Sequence, residues 1–253
     1  MTIRPTLRPI SPVRLGALFL AALLPLAAQN GKVPNDPDAK ALLKQIRESD
    51  SGWDENFPGF RCAIEVFMDG ATHRGKLEVR ARDKIEVTEM NDKEAQAWAE
   101  RSIRSIVSSA YRTEFESRYE KLGVTFGKDD LNPLGQLLHI HGDRFRTSFR
   151  IREGEVRQIV RSNSTRTVTI DILHLERDAQ GRKTAQVFAT QYFDIKTKAL
   201  ERAETVQEGK IMVGDHLLPH YYHEILNQNG GSRMRSVRFF RHELGSADRK
   251  AKE

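Results

Sequence analysis

Histidines, a single cysteine and a series of arginines are the residues of this 253-residue chain whose types and spacing could do chemistry. His139 and His141 stand two apart in a strand-like segment, so both rings leave the same face and could share a metal. No third ligand falls at a matching position nearby, and a solvated strand face explains the pair equally well. His220 and His223 would meet at a metal only on a helix, whereas Leu217–His223 reads as a strand, in which residues three apart face opposite ways. No metal ligand and no cofactor is assigned. Neither a serine in a nucleophile elbow nor a Ser-x-x-Lys pair occurs in a convincing context, and there is no glycine-rich phosphate loop. Asp54 and Glu55, with His139, are the residues an enzyme would draw on. Acidic residues in a turn before a strand usually cap or pair, however, so no catalytic residue is assigned. Cys62 sits on the apolar side of a strand and reads as a small buried hydrophobe. One cysteine cannot form an internal disulfide, and the fold must stand on packing.

Two larger sets of side chains suggest binding. Arg144, Arg146, Arg150 and Arg152 alternate along one expected strand face, with Arg157, Arg161 and Arg166 on the next two strands. Such a basic sheet surface could receive anionic lipid head groups or an acidic partner. It could equally be a solvated outer face balanced by Asp143, Glu153 and Glu155. On the apolar side, Phe60, Ile64, Val66, Met68, Trp98, Phe145 and Phe149 could line a pocket closed by a helix, or fill the core completely.

The elements that must position these residues follow from periodicity. Asp36 and Pro37 open a helix over Pro37–Glu48 with an apolar stripe of Ala39, Leu42, Leu43 and Ile46. From Phe60 to Met68 the period is two, and Asp69-Gly70 is a hairpin signal. Leu77, Val79 and Ala81 return, and Ile85 and Val87 begin a third short strand. A second helix runs from Asp92 to Arg112, with Asn91 as its expected cap and Glu94 completing a box-like pair. Its stripe includes Trp98, Ile103, Ile106 and Val107. From Val124 to Leu244 some seven strands follow, with turns expected at Glu153-Gly154, Asn163-Ser164, Gln180-Gly181, Lys196–Lys198, Gly209, Gly214 and Asn229–Gly231. The expected class is α+β: one long curved antiparallel sheet, an incomplete barrel, wrapped around two amphipathic helices.

The first 28 residues have the form of a secretory signal peptide. Arg4, Arg8 and Arg14 precede an apolar run from Leu15 to Leu26, and Ala27 and Ala28 supply a cleavage site. The run is short for a membrane span and contains Pro25. Cleavage would remove three arginines and leave 38 basic residues against 35 acidic, a net charge of +3 where the whole chain carries +6. A balance this close to neutral argues against nucleic-acid binding. Residues 29–36 read as a linker, 37–245 as one sheet-rich domain without a transmembrane span, and 246–253 as a polar tail. The expected location is the periplasm or the extracellular space.

The stretch Trp53-Asp-Glu-Asn-Phe-Pro-Gly-Phe60, with the strand and Asp69-Gly70 hairpin after it, resembles a family of uncharacterised exported and organellar proteins classed as a domain of unknown function. The similarity continues at Ile103–Val107, at Tyr192–Lys198 and at Gly214–Pro219. That family implies organisation and no chemistry. The architecture also resembles the outer-membrane lipoprotein carriers, incomplete barrels that hold acyl chains under helices. These readings converge on an exported, non-enzymatic binding protein that holds a lipid, a lipid-modified protein or another apolar ligand between sheet and helix. The alternatives are a structural or partner-binding domain with a filled core, and an envelope enzyme. Oligomeric state is not legible.

Overall fold

The computed structural model describes residues 33–178 and 181–245. The expected leader, the first four linker residues and the polar tail lie outside the described residues.

Asp36 starts the first helix, α1 (Pro37–Glu48), by accepting from the backbone N–H groups of Asp38 and Ala39 at 2.9 and 3.2 Å. This satisfies two of the donors that a helix leaves orphaned at its start. The three strands that follow, β1 (Phe60–Met68), β2 (Ala71–Val79) and β3 (Ile85–Thr88), form a meander. Its first turn is Asp69-Gly70, both in the left-handed region, as a two-residue hairpin loop requires. The second helix, α2 (Lys93–Ala110), is capped by Asp92, which accepts from the Ala95 N–H at 2.8 Å. Asp92 is extended and takes the role expected of Asn91. Among the described residues three helices accompany the sheet, not the two expected: the third is a short α3 (Phe115–Tyr119), which buries Phe115 and Tyr119.

Nine strands complete the sheet: β4 (Gly123–Phe126), β5 (Gln136–His141), β6 (Ser148–Arg152), β7 (Glu155–Ser162), β8 (Arg166–Arg177), β9 (Lys183–Asp194), β10 (Leu200–Val213), β11 (His216–Gln228) and β12 (Gly231–Leu244). Every pairing is antiparallel, and the order is β3-β2-β1-β12-β11-β10-β9-β8-β7-β6-β5-β4. The sheet is therefore long and open, with β3 and β4 as its two edges. Its single non-sequential junction joins β1 to β12, pairing Phe60 with Leu244.

Two local departures from simple alternation matter. Gly209, expected in a turn, lies inside β10 opposite Tyr221, and a Cβ there would stand 2.0 Å from the Tyr221 ring. The glycine marks a close approach within a strand instead of a chain reversal. The strand expected to start at Arg144 begins only at Ser148. Asp143 accepts from the Thr147 N–H at 3.2 Å and Arg146 is left-handed, so residues 143–147 form a turn.

The core is divided. One buried cluster packs Trp98, Ala99, Ile103, Ile106 and Val107 of α2 against β1, β2, β3 and inward residues of β10, β11 and β12. A second packs Ala39, Leu43 and Ile46 of α1 and Phe115 and Tyr119 of α3 against β4, β5 and β6. Between them the side chains of β7 and β9 and the first half of β8 are mostly half-buried, while the end of β8 is largely exposed. Among the described residues these strands meet the helical clusters only at their margins, through Val156 and Ile159 on one side and Phe188 on the other.

Candidate ligand-binding cavity

A cavity of about 420 Å³ occupies that gap. Its sheet side is made by Phe149, Val156, Ile159, Ile170, Ile172 and Phe188, and its helical side by Ile46 at the end of α1, Phe115 and Tyr119 of α3, and the serine face of α2 at Ser105, Ser108 and Ser109. The volume falls within the range of small-molecule sites, and the lining has the usual mixture of apolar walls and a few polar groups.

Register explains how these sheet residues come together. Phe149 pairs with Ile159, Ile159 with Ile170, and Ile170 with Thr190, so one row crosses β6 to β9 on a single face. The adjacent row is Arg161, Val168, Tyr192 and Arg202. Arg161 joins this face through a bulge. Arg150 pairs with Gln158 and Ile151 with Val156, leaving Arg157 as an extra residue that switches the alternation of β7. Val156, Ile159 and Arg161 consequently all line the cavity.

Charge in the cavity is uneven. Arg47 is held by Asp50 at 3.0 Å, and Glu155 is claimed by Arg157 at 2.5 Å, by Arg177, and by Lys183 at 4.0 Å. Glu208 and Lys210 lie two apart on β10: burial raises the Glu208 pKa against the opposing charge of Lys210, and burial lowers that of Lys210. Among the described residues Arg161 has no ion-pair partner. Burial and the neighbouring charges of Arg118 and Arg47 hold its pKa below the usual guanidinium value, with Tyr119 and Asp143 acting the other way.

Beside the cavity a polar network crosses β9 to β12. The Tyr192 hydroxyl donates to Glu204 at 3.1 Å, Arg202 pairs with Glu204, and the Tyr222 hydroxyl donates to Glu224 at 3.3 Å. The Nε atoms of Arg202 and Arg235 are buried without a partner among the described residues, and the Arg235 guanidinium lies 5.8 Å from the centre of the Trp98 ring. Burial, with Glu204 close by, raises the pKa of Glu224, and burial likewise raises that of Tyr222. In sequence these charged residues look like a solvated face.

Of the apolar residues expected to line a pocket, Phe60, Ile64, Val66, Met68 and Trp98 sit together in the α2 cluster, each at most 4% exposed. Phe149 lies in the other cluster and lines the cavity. Phe145 is in the turn before β6 with the Arg144 guanidinium 4.3 Å from its ring centre. The expected basic set is dispersed. Arg144 and Arg146 are exposed turn residues, Arg150 is gripped by both carboxylate oxygens of Asp130 at 2.7 and 2.5 Å, and Arg152 meets Glu153 at 3.2 Å. His139 and His141 have ring centres 6.4 Å apart, and the His141 Nε2 bonds Thr125 at 2.8 Å. His220 and His223 are both exposed on β11, where Tyr221 stacks on His223. Burial pushes the Cys62 thiol up to about 12.

The Trp53–Phe60 stretch forms a brace. Trp53 stacks on Phe57 with ring centres 4.1 Å apart and meets Phe60 and Tyr111 edge-on. Its indole N–H donates to the Leu217 carbonyl at 2.9 Å, and its backbone exchanges bonds with Ala110 and Arg112. This pins the end of α2 to β1 and β11, beside the cavity. Asp54 and Glu55 are exposed, and Asp54 accepts from the Asn56 N–H at 2.8 Å.

No curated protein matches the sequence. Among solved structures the chain is similar to a Vibrio parahaemolyticus domain described as an outer membrane lipoprotein-sorting protein, at a TM-score of 0.34 and 11% identity over 82% of this chain and 92% of that one. It is also similar to MucB (TM-score 0.24, 12% identity, 87% and 97% covered) and to a DUF1329 family protein from Desulfovibrio piger (TM-score 0.25, 9% identity, 84% and 94% covered). A family model for proteins of unknown function matches residues 35–244, a span that includes all three helices and all twelve strands. The expected kinship with an uncharacterised family is borne out, and the chain belongs to the DUF3386 family.

Proposed function

We propose that this chain is an exported, non-enzymatic binding protein that holds an apolar chain, such as the acyl tail of a lipid or of a lipid-modified protein, in the cavity over β7 to β9. The observation that carries this reading is the division of the core. Two helical clusters cover the two ends of the sheet, and the strip between them, lined by Ile159, Ile170, Ile172 and Phe188, is left half-buried around about 420 Å³ of space. Burying apolar ligand surface against such a strip contributes about 25 cal/mol per Å² before the entropic costs of association. Export rests on the leader-like first 28 residues; no helix among the described residues is long and apolar enough to cross a membrane.

The test is native mass spectrometry of the chain purified without detergent, before and after incubation with mixed lipids. A stoichiometric acyl-chain adduct is expected. A clean apo mass that persists through incubation would overturn the reading and leave a partner-binding domain as the alternative.

A further inference from the structure

We infer that the ligand of this cavity is a single-chain amphiphile with an anionic head, received by Arg161 together with Arg118 while its chain lies along Ile159, Ile170 and Phe188. The inference rests on the proposed binding function and adds the chemical class of what is bound.

Three observations lead to it. First, the arginines around Arg161 on this part of the sheet have carboxylate partners: Arg150 has Asp130, Arg157 and Arg177 have Glu155, and Arg166 has Glu201 at 2.8 Å. Among the described residues Arg161, Arg118 and Arg112 border the cavity without a carboxylate at ion-pair distance; of these Arg161 is half-buried, whereas Arg112 and Arg118 are exposed, and the Arg118 guanidinium lies 5.5 Å from the Tyr119 ring centre. Second, Arg161 is half-buried, its neighbour on β8 is Val168, and the charges that act on it include two further arginines, Arg118 and Arg47, against the single carboxylate of Asp143. A half-buried cation with no carboxylate at ion-pair distance, only the more distant charge of Asp143, is costly, and an entering anion would relieve that cost. Third, the Arg161 row runs directly beside the apolar row of Phe149, Ile159 and Ile170, so a head and a chain could be accommodated at once. A guanidinium fork suits both carboxylate and phosphate oxygens, and rejects an uncharged or cationic head.

The experiment is calorimetric titration of delipidated protein with four ligands of identical chain length: dodecanoate, dodecyl phosphate, dodecanol and dodecyltrimethylammonium. The two anions should bind about 10- to 100-fold more tightly than dodecanol, the range set by a charge-assisted hydrogen bond or two. The tighter of the two anions distinguishes a carboxylate from a phosphate source. Arg161→Met should bring the anions down to the level of dodecanol and leave dodecanol unchanged. Arg118→Ala, a change on the exposed side of α3, should weaken the anions alone and decides the matter if Arg161→Met does not fold. Equal binding of all four ligands would overturn the head-group inference while the cavity reading stands. Failure of every ligand, dodecanol included, would overturn both.

Discussion

Replacing Ile170 by phenylalanine should stabilise the apo protein, although the same kind of change in either packed cluster should harm it. Ile170 sits in the middle of β8, paired with Ile159 and Thr190, and its half-buried side chain borders the cavity. Phenylalanine carries three more carbon atoms. At about 0.8 kcal/mol per buried methylene, and with the cavity only partly enclosed, the gain should be about 1 kcal/mol. The control is Ile103→Phe: Ile103 lies on α2 with no exposed surface, wholly surrounded by its cluster. Overpacking there should cost about 1–3 kcal/mol. For a domain of this size each kcal/mol moves the melting midpoint by about 2–4 °C, so the two variants should part in opposite directions by at least several degrees. Thermal unfolding of delipidated protein, followed by circular dichroism, measures both. Acyl-chain uptake by the Ile170 variant should fall in parallel, because the ring occupies the space the chain would take. If Ile170→Phe lowers the midpoint as much as Ile103→Phe, the space is not there and the reasoning from the divided core fails.

The aromatic brace and the sheet surface give two further expectations. Trp53→Ala removes the stack on Phe57, the edge contacts with Phe60 and Tyr111 and the bond to Leu217, and should cost about 3–5 kcal/mol. A melting midpoint lowered by less than about 2 °C would show that the brace is not structural. Hydrogen bonds from Arg80 and Arg61 hold the Glu78 carboxyl at about 2, below an unfolded value of 4.5. A depressed carboxylate binds its proton less readily in the folded state, so its contribution is complete above pH 4.5 and is lost as the pH falls toward 2. Glu78→Gln should therefore reduce stability at neutral pH by about 1 kcal/mol or less, since both arginines are substantially exposed. The deficit should vanish near pH 2, and a deficit that stays constant from pH 7 to 2 would exclude the ion pairs as its source.

The two long helices, the first three strands and most of the hairpin turns were legible in the sequence because each obeys a local rule. Asp36-Pro37 caps, Asp69-Gly70 reverses the chain, and Trp98 to Val107 repeats with helical period. The cavity was harder to read for two physical reasons. A bulge at Arg157 inverts the alternation of β7, so simple counting cannot show that Arg161 and Ile159 share a face with Val156. Inward charges such as Glu204, Glu208 and Glu224 also look solvated until the strands beside them are known. The Trp53 stretch stood out by composition, but its part in fastening α2 depends on Leu217 and Tyr111, which are distant in sequence. Phe145 and Arg146 were expected to belong to β6 because they continue its alternation. The Asp143 turn that excludes them is a side-chain effect without a periodic signature.

The β1–β12 junction also orders events in time. From β4 to β12 each strand can zip onto its predecessor through a short loop, which costs little chain entropy. The hairpin of β1, β2 and β3 has no such neighbour until the final strand exists, since Phe60 must find Leu244. Closing that long loop is the slow, non-local step by which contact order limits folding rate. A ribosome or a translocation channel that released this chain from its N-terminus would hold the α2 cluster open to the last, with Trp98 lacking Tyr222 of β11 and Arg235 of β12. Completion of the C-terminal strand is then the moment at which the protein hides its largest apolar surface, and a chain cut short before Val237 would never do so.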